Sequence, residues 1–228
     1  VLKESIAIAS MLMSSVAVSQ ADDEANRSKT SADWRSEKPF TVGAELGWFV
    51  FPISGAGARI GYNLNPNLNV GFRFAAGEWD ASPLVSEGIY TTIDTFTLDA
   101  SIVEVDAKWF VGNSFYWRVG LGQRQINSDI SVTDQYDGTN ITATLESTSS
   151  AVSIGLGNIW TLDSGLYLGG EWIAASIPLG SSFSSSVTSN AITDEDLRDL
   201  VEDMEEVSED FGTVTTFGLA TFLIGYQF

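Results

Sequence analysis

The end of the chain alternates. Phe228, Tyr226, Ile224, Phe222 and Ala220 are apolar at every second position, while Gln227, Gly225 and Thr221 between them are small or polar and Leu223 is the exception. Successive side chains of a strand point to opposite faces, so this period of two dictates a sheet with two unlike faces. Seven further segments repeat it. Their apolar faces begin with Phe40, Val42, Ala44, Leu46 and Trp48, then Ala58, Ile60, Tyr62 and Leu64, then Leu68, Val70, Phe72 and Phe74. They continue with Val103, Val105, Ala107, Trp109 and Val111, then Phe115, Trp117, Val119 and Leu121. The last two are Val152, Ile154, Leu156 and Trp160, and Leu166, Leu168, Trp172 and Ala174. Upstream of Val103 the parity is opposite, at Phe96, Leu98 and Ala100, which predicts a bulge or register change near Ile102.

The connections alternate in length. Asn65-Pro66-Asn67, Gly112-Asn113-Ser114 and Asp163-Ser164-Gly165 are tight-turn signals. The spans 76–97, 127–147 and 178–210 are polar and long, and read as loops. With both termini on one side, the three turns fall on that side and the long loops on the other. Segments of about nine to eleven residues are what a tilted strand needs to cross a bilayer.

Alternation leaves open which face points outward, and glycine decides it. Gly43, Gly47, Gly57, Gly61, Gly71, Gly120, Gly122, Gly155, Gly157, Gly169 and Gly225 lie on the polar face; only Gly170 and Gly218 lie on the apolar one. Small residues belong where strands crowd a narrow axis, so the polar face lines a lumen and the apolar face meets lipid. Tyr62, Trp109, Phe115, Trp117, Trp160, Tyr226 and Phe228 gather near the tight turns, as an interfacial girdle does, and Trp48 and Trp172 sit toward the loops. The expected fold is an all-β, eight-stranded, antiparallel, up-and-down transmembrane barrel over residues 38–228.

These features resemble the small eight-stranded outer-membrane β-barrel proteins of the OmpA, OmpX and OmpW type. The resemblance implies a bacterial outer-membrane location, a monomer surrounded by lipid and lipopolysaccharide, and periplasmic termini. It also implies that the closing segment with Phe222, Ile224, Tyr226 and Phe228 is read by the barrel-assembly machinery. The start of the chain agrees. Lys3, an apolar stretch over 6–18 and Ser19-Gln20-Ala21 form a secretory signal peptide over 1–21, and 22–37 reads as a polar periplasmic tail whose one large apolar residue is Trp34.

Composition narrows the function. There is no cysteine and no histidine. The barrels of this kind that are enzymes carry a catalytic His, and without one the ordinary base for activating Ser or water is missing. The expectation is a protein that is not an enzyme and holds no cofactor or metal. A net charge of −19 argues against nucleic acid as a partner.

Two constellations remain. The lumen face carries Glu45, Arg59, Arg73, Glu104, Asp106, Lys108, Arg118, Arg124 and Glu171. They read as a structural network of ion pairs, or alternatively as a gate that opens a thin water path by exchanging partners. In 193–211, Thr193 and Asp196 have capping-box spacing, and Leu197, Leu200, Val201, Met204 and Val207 recur at helical period. Asp194, Glu195, Asp196, Asp199, Glu202, Asp203, Glu205, Glu206, Glu209 and Asp210 make it a short acidic helix within the last extracellular loop. It reads as a solvated excursion, a cover over the barrel mouth, or a surface for divalent cations or a basic partner.

Two functions follow. The first is a non-catalytic protein whose barrel anchors acidic extracellular loops for envelope integrity or surface interaction. The alternative is a narrow channel for small or, by resemblance to the OmpW-like group, hydrophobic solutes. That reading asks for an apolar lumen near the extracellular mouth, where Tyr116, Tyr167, Ile126 and Ile173 supply only a little.

Overall fold

A computed structural model describes residues 29–84, 91–134, 138–189 and 213–228. Eight antiparallel strands follow one another round a closed ring: β1 (Phe40–Val50), β2 (Ile53–Asn65), β3 (Leu68–Asp80), β4 (Thr91–Val111), β5 (Phe115–Asp134), β6 (Asn140–Thr161), β7 (Leu166–Ser189) and β8 (Thr216–Gln227). The seam joins β8 to β1. At its lower end Phe40 N–H donates to Phe228 O and Phe228 N–H donates to Phe40 O, both at 3.0 Å. The three tight turns sit at this same end. Asn67 N–H bonds Asn65 Oδ1 at 2.8 Å, and Gly112 and Gly165 supply the positive φ, 76° and 87°, that closes the other two.

The outward face of the lower barrel is apolar all round. Ile60, Phe72, Val105, Trp109, Val119, Leu121, Ile154, Leu168, Phe222 and Ile224 are all exposed, while the charged residues of the opposite face are buried. A belt this continuous would be unstable in water, and with the ladder closed no strand edge is left for lipid to meet. This is a transmembrane barrel with its polar face inward.

The upper half departs from the sequence reading. The spans read as loops are mostly strand: β4 to β7 are 20 to 24 residues long and pair with one another up to Thr91↔Asp134, Thr133↔Asn140 and Ile141↔Ser189. Pairing between β7 and β8, in contrast, ends at Ser176↔Thr216, and β1 turns into β2 through Phe51 and Pro52. Residues 177–189 thus rise on the order of 40 Å along the strand past the last β8 partner. The barrel carries a tall wall on the β4–β7 side and a low one over β8, β1 and β2.

No bulge occurs near Ile102; β4 pairs without interruption from Thr95 to Val111. The parity reverses because the surroundings do. Outward residues change from Val103 to Ser101, from Leu121 to Gln123 and from Leu179 to Gly180. Inward residues change from Glu104 to Ile102 and from Arg124 to Ile126. Below the line the outer face meets lipid and above it water. Hence Phe96, Leu98 and Ala100 face inward on an unbroken strand.

Real bulges lie elsewhere. Pairing of β7 skips Trp172, so Ile173 faces outward, not into the lumen, and Ala174 faces inward, not toward lipid. Near Ala220, at φ 49°, β8 shifts against β1, which turns Gly218 to the lumen side. Gly170 stays outward, under the Trp172 ring. Residues 31–37, read as part of a tail, form a helix, α1 (Ser31–Glu37), at the tight-turn end. The expected signal peptide and the expected acidic helix over 193–211 lie outside the described residues.

Thr97 and Val105 share the outward face of β4, eight residues apart, on opposite sides of the reversal. Val105→Arg should destabilise the folded barrel by about 2–4 kcal/mol and Thr97→Arg by less than about 1 kcal/mol, measured as urea unfolding in lipid vesicles.

The lumen as candidate functional site

The lumen holds large side chains because glycines on nearby strands leave room for them. A Cβ on Gly71 would stand 2.5 Å from Arg59 Nη2, one on Gly155 2.8 Å from Glu171 Oε2, and one on Gly43 2.0 Å from the Tyr167 hydroxyl. Each glycine is the gap into which a neighbour's side chain leans. This is the packing logic that the glycine pattern predicts.

Five of the charges form one chain across the barrel. Arg73 Nε donates to Glu45 Oε2 at 2.5 Å and its Nη1 to Glu104 Oε1 at 3.1 Å. Arg118 bonds the same Glu104 oxygen, then donates to Glu171 through Nε at 2.6 Å and Nη2 at 3.0 Å. Ser153 fixes the centre, donating to Glu104 Oε2 at 2.5 Å and accepting from Arg118 Nη1 at 2.8 Å. The chain ties β1, β3, β4, β5, β6 and β7. Below it Arg59 grips Asp106 with Nε and Nη2, and Nη2 also bonds Asn69 Oδ1 at 2.6 Å. From Asn69 a polar relay descends to Asn63 at 2.8 Å and to Lys38 O at 3.1 Å.

Two of the sequence-predicted cations stand apart. Lys108 has no carboxylate in ion-pair contact among the described residues; its Nζ lies 4.8 Å from the centre of the Tyr116 ring. Arg124 sits higher and donates to Val214 O at 3.2 Å and Thr216 Oγ1 at 2.8 Å, which ties β5 to the start of β8.

Apolar layers bound the charges above and below. Above, Phe49, Val50, Ile53, Ala75, Ala100 and Ile102 are buried together, with Trp79, Leu98 and Ile126 against them, and the Phe49 ring lies 5.2 Å from Arg73 Cζ. The apolar upper lumen that sequence reasoning found thin is therefore substantial. Apart from Ile126, it is built from residues that the sequence reading put in loops, put on the other face or did not single out. Below, Phe110, Tyr116 and Leu223 pack with Ile159.

Helix α1 closes the bottom. Thr30 and Asp33 form a reciprocal capping box, and Thr161 N–H donates to Ser31 Oγ at 2.9 Å. Arg35 then reaches two turns at once: Nε donates to Pro66 O at 2.5 Å, Nη1 to Asn113 O at 3.0 Å and Nη2 to Gly112 O at 3.4 Å, with Cζ 3.8 Å over the Phe110 ring. Burial pulls its pKa down to about 10, which leaves it charged at neutral pH. Sequence reasoning missed Arg35, because a helix of two turns has too few residues to show a period. It also missed Asn63, Asn69, Ser153 and Gln227, although all share the inward parity of the charges.

The lumen site, then, belongs to a transmembrane barrel filled by its own side chains. No protein-family model and no curated protein matches the chain. Among solved structures it is similar to CarO2 of Acinetobacter baumannii, at 14% identity and a TM-score of 0.49 over 84% of this chain and 99% of that one. It is also similar to a major outer membrane protein from Thermus thermophilus, at 16% identity and a TM-score of 0.47 over 83% and 98%. A third is Ail, the attachment invasion locus protein of Yersinia pestis, at 10% identity and a TM-score of 0.41 over 84% and 97%. The reading of the fold rests on the ring and its lipid-facing belt.

Among the described residues Glu104 is the one carboxylate shared by two buried arginines. Glu104→Ala removes the bridge between Arg73 and Arg118, leaves Arg73 with Glu45 alone and Arg118 with Glu171 alone, and should cost about 2–4 kcal/mol in urea unfolding, whereas Glu78→Ala on the outer face should stay within about 0.5 kcal/mol.

Proposed function

We propose that the chain is a non-catalytic integral protein of the bacterial outer membrane, a closed barrel that anchors a tall extracellular sheet. The observation that carries this reading is the filling of the lumen. An apolar layer, a charged layer bonded across six strands, a second apolar layer and α1 follow one another from the mouth to the turns. An eight-stranded barrel has room for little else. What the protein offers its surroundings is then above the lipid, where β4 to β7 present Thr97, Asp99, Gln125, Asn127, Thr144, Glu146, Ser184 and Ser186 to water. The sequence between β7 and β8 adds ten carboxylates over 193–211, a composition suited to divalent cations or a basic partner. In this reading 1–21 is removed on export, both ends of the mature chain are periplasmic, and the barrel works as a monomer within lipopolysaccharide. The absence of histidine supports the non-catalytic role.

A second reading has one specific observation in its favour. The inward face of the tall wall carries Phe96, Leu98, Ile126, Ile130, Leu145 and Phe183 among the serines Ser128, Ser147, Ser149, Ser181 and Ser185, and among the described residues the wall over β8, β1 and β2 is lower. A hydrophobic solute passing through the protein would meet this face first.

Conductance separates the two. The full mature chain, refolded into a planar bilayer and verified by its heat-dependent gel shift, should show no unit steps in molar potassium chloride, and deletion of 193–210 should leave it silent while changing surface binding of calcium. Discrete steps in the intact protein would overturn the closed anchor and make it a pore. Steps that appear only after the deletion would make the acidic segment its cover.

A further inference from the structure

The charges of the lower lumen do not cancel. Glu45, Glu104, Asp106 and Glu171 are matched in number by Arg59, Arg73, Lys108 and Arg118, all buried. Arg35 enters the same enclosure from below, equally buried, and among the described residues meets only carbonyl oxygens and an aromatic ring. The matched set also leaves Lys108 out of its ion pairs, since the four carboxylates are engaged by the three arginines. Two buried cations without a described carboxylate in contact therefore lie within one region, joined through the Phe110–Tyr116 ring pair, whose centres are 5.7 Å apart. A buried charge with no counter-charge is costly, and a second one nearby adds repulsion.

Both cations line one cavity between α1 and the charged layer, with Thr41, Arg59 and Tyr167 also on its wall. Its volume of about 20 Å³, counted for the centre of a water-sized sphere, holds one or two water-sized occupants. The Thr41 hydroxyl oxygen is buried without a partner among the described residues. Among the described residues Glu45 is the one carboxylate on this wall, and its Oε2 accepts from Arg73 Nε at 2.5 Å. The wall carries Arg35, Arg59 and Lys108 against Glu45, the lower lumen as a whole has a single positive charge in excess, and the space suits a small sphere.

We propose that this cavity is a binding site for one small monovalent anion of halide size, held between Lys108 and Arg35 with the Thr41 hydroxyl as a neutral donor. The anion completes the charge balance of the lower lumen and fastens α1 to the barrel. Sulfate and phosphate exceed both the space and the charge.

The test uses the full mature chain. Crystals soaked in sodium bromide should show an anomalous peak in the cavity, in contact with Lys108 Nζ. In vesicles at constant ionic strength, with gluconate replacing chloride, the urea midpoint should rise with chloride and level off, and sodium sulfate should not reproduce the rise. Lys108→Met should abolish the chloride dependence. Thr41→Val, which keeps the shape and both charges, should raise the half-saturating chloride concentration about tenfold, so the site can be judged even if the lysine variant fails to fold. A cavity without bromide density, or a chloride response unchanged in both variants, overturns the proposal.

Discussion

Inside hydrocarbon every backbone donor and acceptor must find a protein partner, and the rest of this structure depends on that. A sheet meets the requirement only by closing, and the seam between Phe40 and Phe228 is where this chain does so. With eight strands the ring is narrow, so the inner positions divide between glycine and side chains long enough to lean over it. Those long side chains are charged because the inner face must differ from the lipid-facing one, and charges held in so small a space must be bonded to one another. Closure, glycine, arginine and glutamate are four consequences of one constraint.

The same strands obey a second solvent once they leave the membrane. From Ser101 upward on β4 and from Gln123 upward on β5 the outer face is polar and the inner face largely apolar, on a ladder that runs without a shift from Val111 to Thr95. A strand that served only as a membrane wall would have no reason to continue. Four strands that rise together, polar outside, form a sheet stable in water on one face, and among the described residues the wall beside them is lower.

Much of this was legible in the sequence, and the failures have separate physical causes. Alternation identified eight strands, the tight turns and the correct outward face, because period two survives any detail of packing. It failed where the surroundings change within a strand. The reversal at Ile102 reads as a bulge if the solvent is assumed constant, and polar outward residues such as Asn127, Thr144 and Ser184 read as loop. The true bulges at Trp172 and Ala220 left no local signal, so Ile173, Ala174 and Gly218 were placed on the wrong faces. In the site, parity found all nine charges but not their pairing. That Glu104 serves two arginines while Lys108 meets no described carboxylate follows from register and side-chain reach, which one sequence does not contain. Arg35 was invisible because its role depends on α1 folding back under two turns distant in sequence.

The exchange of solvents along a continuous strand is the central claim, and spin labels placed singly from Trp117 to Thr133 on β5 test it most directly. Collision with oxygen should be high and with a water-soluble nickel chelate low at Trp117, Val119 and Leu121. At Asn127, Asp129, Ser131 and Thr133 the order should invert, with no break in the period of two. A slip in that period near Gln123, or oxygen-favoured labels continuing to Thr133, would contradict it.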